Sequence, residues 1–314
     1  MELFSLAGNL LLTSLLGYAI RKFRVVDAHF GDSLSRLLTE VIIPCYILQA
    51  ILEIDNLPQL LGDGSSAIIA AAVMLLMLFF VGTLANRLTG GGLGRILRFG
   101  TMFSNALVFG MPVAEMYWGP RGLFYLMAFY FPIRFAYYGL SELLLSPKPL
   151  KKGQGQWRHG LRTLYSPATL SCVAGLLLVF FEIRLPEPLT GLFASVGSCC
   201  KPLGMMLIGI IVGEYTIRKI FSLQNLLMTL YKIVLLPLLA LALVWLLGVG
   251  GMAGRMVVLY AALPCGPLLA TFCIQYDSNT RSGIDSAGLV LFSTIGAVVT
   301  VPVWLQLIEL VLPA

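Results

Sequence analysis

The stretch Met256–Tyr276, MVVLYAALPCGPLLATFCIQY, decides the fold once it is set beside Phe99–Trp118, FGTMFSNALVFGMPVAEMYW. Each is as long as one bilayer-spanning helix, about 20 residues. Each also carries helix breakers: Pro264, Gly266 and Pro267 at the middle of the later stretch, Gly110 and Pro112 past the middle of the earlier one. A proline inside a helix removes a donor and clashes with the carbonyl four residues back. Backbone freed in this way cannot face hydrocarbon, so it must be buried in protein or line a watery cavity. Paired interrupted spans in corresponding halves of a chain point to the substrate site of a secondary transporter.

The surrounding sequence has the composition such a site needs. Of 314 residues 58% are hydrophobic and 11% charged, which excludes an ordinary soluble domain. Ten apolar stretches can be marked, near 3–20, 37–53, 67–86, 99–118, 121–144, 166–182, 192–213, 228–247, 256–276 and 286–310. The first reads as a retained span, because Arg21, Lys22 and Arg24 follow the apolar run and no small-residue cleavage site closes it. Fifteen of the 21 Lys and Arg residues fall in the odd-numbered connections, against three (Arg121, Arg184, Arg255) in the even-numbered connections and tails. The positive-inside rule then puts both termini on the non-cytoplasmic side. Asp55, Asn56 and Pro58 with Gly62-Asp63-Gly64 read as a polar outside loop, and Gly90-Gly91-Gly92 as an inside hinge.

An internal repeat organises the spans. Gly17 and Gly175 are 158 positions apart, as are Pro44 and Pro202, and the third span shifted by the same amount lands on the eighth. One register thus lays five spans over five. Five is odd, so the second copy enters the membrane with opposite polarity, an inverted repeat. The expected fold is an all-α membrane protein: ten transmembrane helices as a 5+5 inverted repeat with two proline-broken crossing helices.

Several chemistries are excluded or weakened. All six cysteines fall in apolar spans without a CxxC pair, and the only histidines, His29 and His159, lie in basic connections. No metal site, resident cofactor or enzyme activity is expected from that inventory. The net charge of +6 is a topology signal, and no compact basic domain offers itself to nucleic acid. Three cations fall inside spans. Arg134 follows Pro132 in the fifth, and Lys201 sits near the centre of the seventh. At that depth a cation costs a few kcal/mol, roughly 3 on the cheapest scale, and faces a cavity or a partner. Function and a structural ion pair, with Glu115 or Glu142, stand about even for these two. Lys232, near the expected cytoplasmic end of the eighth span, reads as an interfacial anchor.

The motifs IIPCYILQAI (42–51), SNALVFGMPVAEMYWGPRGLFY (104–125), SPATLSCVAGLLL (166–178), KPLGMMLIGIIVGE (201–214), YKIVLLPLLAL (231–241) and AALPCGPLLATFCIQY (261–276) together resemble the auxin efflux carrier family, in its short prokaryotic form. The resemblance runs almost end to end. It implies a scaffold from the first two spans of each half (1–62 and 166–222) and a transport domain from the other three (67–145 and 228–312). The connection 146–165 joins the halves on the cytoplasmic side. It also implies broken helices crossing at mid-membrane, a homodimer through the scaffolds, and alternating-access transport of a small organic anion. Family substrates are auxin in plants and dicarboxylates such as malate or malonate in bacteria. By motif match Asn105, Gly110, Met111, Pro112, Pro264, Cys265, Gly266 and Pro267 become substrate-binding candidates, with Lys201 and Arg134 added for their charge. The long hydrophilic central loop of many plant members is absent, which favours a bacterial inner membrane, and Lys201 is a departure from the motif.

The coupling ion, proton or sodium, stays open: a sodium site uses carbonyl ends and hydroxyls, whereas proton coupling needs a titratable group. Rival readings are a cation/proton antiporter or sodium-coupled symporter on a related fold, or a membrane sensor. The antiporter needs Asp or Glu at the crossing, which neither 105–112 nor 263–267 contains.

Overall fold

The computed structural model describes residues 12–13, 15–27, 29–53, 57–146, 165–214, 222–266, 268–276 and 280–312. Most of the connection 146–165, Pro267 and the side chain of Lys201 lie outside them. Among the described residues the chain is all helical, with one isolated antiparallel bridge, Ser104 to Cys265.

A helical run at 15–22 precedes α1 (Phe30–Leu37), a π turn (Leu38–Ile42) and α2 (Ile43–Leu52). Then come α3 (Leu57–Thr89), α4 (Gly91–Met102), a second π turn (Ala106–Gly110), α5 (Met111–Gly139) and α6 (Ser141–Leu145). After the connection follow α7 (Pro167–Phe180), α8 (Glu187–Ser198) and α9 (Cys200–Glu214). The chain ends with α10 (Leu223–Leu230), a third π turn (Tyr231–Leu235), α11 (Leu236–Leu246), α12 (Gly251–Ala262), α13 (Leu268–Tyr276) and α14 (Thr280–Val311). Among the described residues four segments are long and apolar enough to cross a membrane: Ser33–Leu52, Gly62–Thr89, Leu223–Leu246 and Arg281–Val311. On α3 the outward stripe Ile69, Val73, Leu76, Phe80 and Leu84 is exposed and apolar, while Ala67, Ala71, Met74 and Leu78 face the core. A helix apolar on both faces belongs in lipid.

The three π turns among the described residues share one cause. Each is followed at its second residue by a proline: Pro44, Pro112 and Pro237. In each, the residue before the proline donates five residues back, Ile43 to Leu38, Met111 to Ala106 and Leu236 to Tyr231. The widened turn gives the pyrrolidine ring room and lets the helix continue. Without an N–H on Pro237, the Ile233 carbonyl four residues back lacks its ordinary helical donor. The buried Trp304 indole of α14 donates to it at 2.9 Å.

The helix start at Leu57 overturns the outside loop expected around Gly62–Gly64. Asp63 there forms an ion pair with Arg121, and Ser65 and Ser66 bond back to the carbonyls of Gly62 and Asp63. These local bonds and the pairing to α5 offset the poor helix propensity of two glycines. The Gly119-Pro120 junction does separate two helical pieces: Gly119 has φ 66° and ψ −160°, a left-handed region open to glycine.

The two halves interlock. Gly17 sits against the backbone of Met206 in α9, where a Cβ has no space. Gly175, 158 positions later, sits against Ile51 of α2, with a Cβ position 3.2 Å from that side chain. A close approach at a glycine thus joins the chain before the 146–165 connection to the chain after it at both places. α2 packs on α7 and α8, α3 on α4 and α5, and α14 on α10, α12 and α13.

Candidate functional site

Two helices stop in the protein interior and face each other. α4 ends at Met102, where Phe103 turns extended (φ −124°, ψ 109°). Three residues later the chain is helical again, and Asn105 begins that helix by accepting from Val108 N through its side chain at 3.3 Å. An N-cap amide of this kind satisfies one of the orphan donors of a helix start. α12 ends at Ala262, and Leu263 is extended (φ −64°, ψ 147°), the conformation that a following proline favours. The two extended pieces pair: Asn105 N donates to Pro264 O at 2.8 Å, across the Ser104–Cys265 bridge.

The sequence motif placed the first interruption differently. Gly110 and Met111 are helical (φ −69° and −61°), so the chain is interrupted at Phe103–Asn105, and Pro112 lies in the helix after it. Pro112 is buried and abuts Gly204 of α9, whose Cβ position is 3.2 Å from its ring. Gly110 lies under Leu263 at the other interruption, where a Cβ would come within 2.6 Å of that side chain. Met111 is 1% exposed and Cys265 fully buried. Cys265 N donates to Ser293 Oγ at 3.1 Å, and its thiol points at Gly100 O. Gly266 has Tyr137 Oη 3.2 Å from its Cβ position, and Pro267 lies outside the described residues.

The bridge carries a polar network that the sequence reading missed. Tyr260 Oη donates to Met102 O and accepts from Ser104 N, both at 3.1 Å. It thereby ties together orphan groups at the end of α4. Lys232 donates from Nζ to Ser104 Oγ at 2.8 Å and is 1% exposed. The interfacial-anchor reading of Lys232 is therefore corrected. The span begins at Leu223 rather than near 228, which puts Lys232 more than two turns inside. The third π turn then directs it to the bridge. An amine within the apolar run YKIVLLPLLAL was the available signal.

A family model described as membrane transport protein matches residues 157–305. Over that stretch, a little under half of its length, the chain is similar to this family. It is the family of the auxin efflux carriers, which the motifs resembled. No curated protein matches the chain. The matched stretch contains Lys232, Tyr260, Pro264, Cys265 and Ser293, so the later interruption and most of its polar network lie within it. The apolar helices and the family together make this an integral membrane protein.

The two cations singled out for their depth are placed elsewhere or lie outside view. Arg134 donates from Nη1 to Ser166 Oγ at 3.1 Å, at the cap of α7. Ser166 accepts at the same time from Thr169 N, so Arg134 fastens α5 to the start of α7. Lys201 lies on α9 three residues before Gly204, the residue against Pro112, and its side chain is outside the described set.

Proposed function

We propose that the protein is a secondary transporter of small organic anions, working by alternating access at the place where its two interrupted helices meet. The observation that carries this reading is the Asn105–Pro264 hydrogen bond across the Ser104–Cys265 bridge, with the Lys232 amine buried beside it. The helices resuming at Ala106 and Leu268 begin at that place with their positive dipole ends, which favours a carboxylate. The Asn105 side chain adds a directional partner. Its groups are Lys232, Ser104, Asn105, Tyr260, Cys265 and Ser293, and none is acidic. A cation/proton antiporter needs a carboxylate there, so these residues favour the anion reading over that one.

In this reading the five spans of each half form an inverted repeat whose scaffold pieces are 1–62 and 166–222. The helices crossing at the bridge, with those packed on them, rock against that scaffold to expose the anion to alternate sides. A homodimer in a bacterial inner membrane, with both termini outside, follows from the resemblance and the charge count. The test is uptake into proteoliposomes of labelled malate, malonate and an indole carboxylate, with pH and sodium gradients imposed independently. Saturable uptake of one of them that Asn105→Ala abolishes at matched protein level supports the proposal. Uptake of none, with uptake of a monovalent cation instead, overturns it.

A further inference from the structure

We propose that the Lys232 ammonium is a tethered cation that stands where a coupling metal ion would otherwise sit, so that the crossing works without sodium. The inference rests on the crossing being the transport site. Two half-helices, α4 and α12, end there with their carbonyl termini. Such ends leave up to four carbonyls each without a helical partner and carry partial negative charge. Hydroxyls are gathered at the same place: Ser104, Tyr260 and Ser293. Carbonyls at half-helix ends, with hydroxyls beside them in a dry interior, are the kind of donor set that holds a sodium ion.

Lys232 reaches into this set. Its Nζ donates to Ser104 Oγ, and among the described residues its other two donors have no acceptor and no carboxylate forms an ion pair with it. A structural lysine buried so completely is normally paired with an acid, because an uncompensated buried charge is costly. In this proposal the Ser104 hydroxyl is joined in compensating the charge by the partial negative charge of the two helix ends. Thr229, one turn earlier, buries a hydroxyl that has no hydrogen-bond partner among the described residues, so it offers an oxygen on the same helix to a cation not carried on a side chain. Removing the amine should leave a small cavity that an ion can enter.

The experiment uses the purified full-length protein in detergent and reads its Tm in sodium, methylammonium or choline chloride at equal ionic strength. Wild type is expected to melt at the same temperature in all three. Lys232→Ala is expected to melt lower in choline and to regain Tm saturably, by about 3 °C or more, in methylammonium or sodium. Lys232→Met, which fills the space without charge, is expected to melt low in all three salts. If Lys232→Ala gives no folded protein in choline, purification in methylammonium chloride becomes the test, recovery supporting the proposal and failure overturning it. Sodium stabilising wild type over choline overturns it, as does Lys232→Ala matching wild type in choline or responding equally to every salt. These readings need no substrate. A failure here leaves anion transport standing, and a protein that moves no anion can still pass.

Discussion

The two interruptions do one job by different means. At Leu263–Pro264 the chain leaves the helix where a proline forbids its continuation, and the residue before it is already extended. At Phe103–Asn105 no proline is present. That break is held by partners: Asn105 N on Pro264 O, Ser104 N on Tyr260 Oη, and the Asn105 side chain on Val108 N. Pro112, which read as a breaker in the sequence, sits like Pro44 and Pro237 on a π turn inside a helix that continues. Proline alone therefore does not break a helix here. The break forms where freed backbone has a second extended segment to pair with.

If the first break depends on its partner, crowding the contact between the two should have the largest effect. Gly110→Leu puts a side chain where Leu263 already lies within 2.6 Å of the Cβ position. Overpacking of this kind is expected to cost about 3 kcal/mol, read as a lower Tm together with lost transport. A variant as stable and active as wild type would detach the breaks from each other.

The π turns offer the next test, on a proline that does not break its helix. Trp304→Phe removes the donor to the Ile233 carbonyl, leaving it buried and unpaired at an expected cost of about 2 kcal/mol. Pro237→Ala restores a backbone N–H that can serve that carbonyl. A double-mutant cycle on Tm should therefore show Trp304→Phe doing less harm in the Pro237→Ala background, and strict additivity would refute the explanation of the turn.

Asn105→Ala acts on the first break alone. It removes a cap that accepts at 3.3 Å, expected to cost about 1 kcal/mol, while the main-chain bond to Pro264 stays. Stability should fall slightly and substrate affinity much more. Equal small losses in both would reduce Asn105 to a cap.

The smallest effect is expected at Pro112. With its turn free to close into regular helix, Pro112→Ala should change Tm by no more than about 0.5 kcal/mol equivalent, whereas Pro264→Ala should impair transport at matched protein level. The reverse order would return the first interruption to Pro112.

The helical class and the apolar membrane-crossing segments were legible in the sequence, because length and hydropathy are local properties. It misplaced the first break by several residues, since what holds Phe103–Asn105 open is a partner about 160 residues away, at Tyr260 and Pro264. Lys232 was misread for a related reason. Its depth depends on where the span starts, and its direction depends on a turn that Pro237 causes five residues later. The helical turn at Gly62–Gly64 was hidden too, because the pairing of Asp63 with Arg121 is not written in the local composition.

The central claim is that the two breaks lie against each other, and one cross-link tests it. In the Ser104–Cys265 bridge the Asn105–Pro264 bond marks the non-hydrogen-bonded kind of pair, with Cα atoms about 4.5 Å apart. That spacing suits a disulfide, so Ser104→Cys should oxidise onto the native Cys265 once Cys45, Cys172, Cys199, Cys200 and Cys273 are replaced. Mass spectrometry after mild oxidation in membranes is expected to find the 104–265 linkage, and transport to stop until reductant is added. The positive control is the double variant Ile51→Cys with Gly175→Cys, placed where α2 and α7 already touch. Two free thiols at 104 and 265 in folded protein, under conditions that fully link the control, would contradict the account.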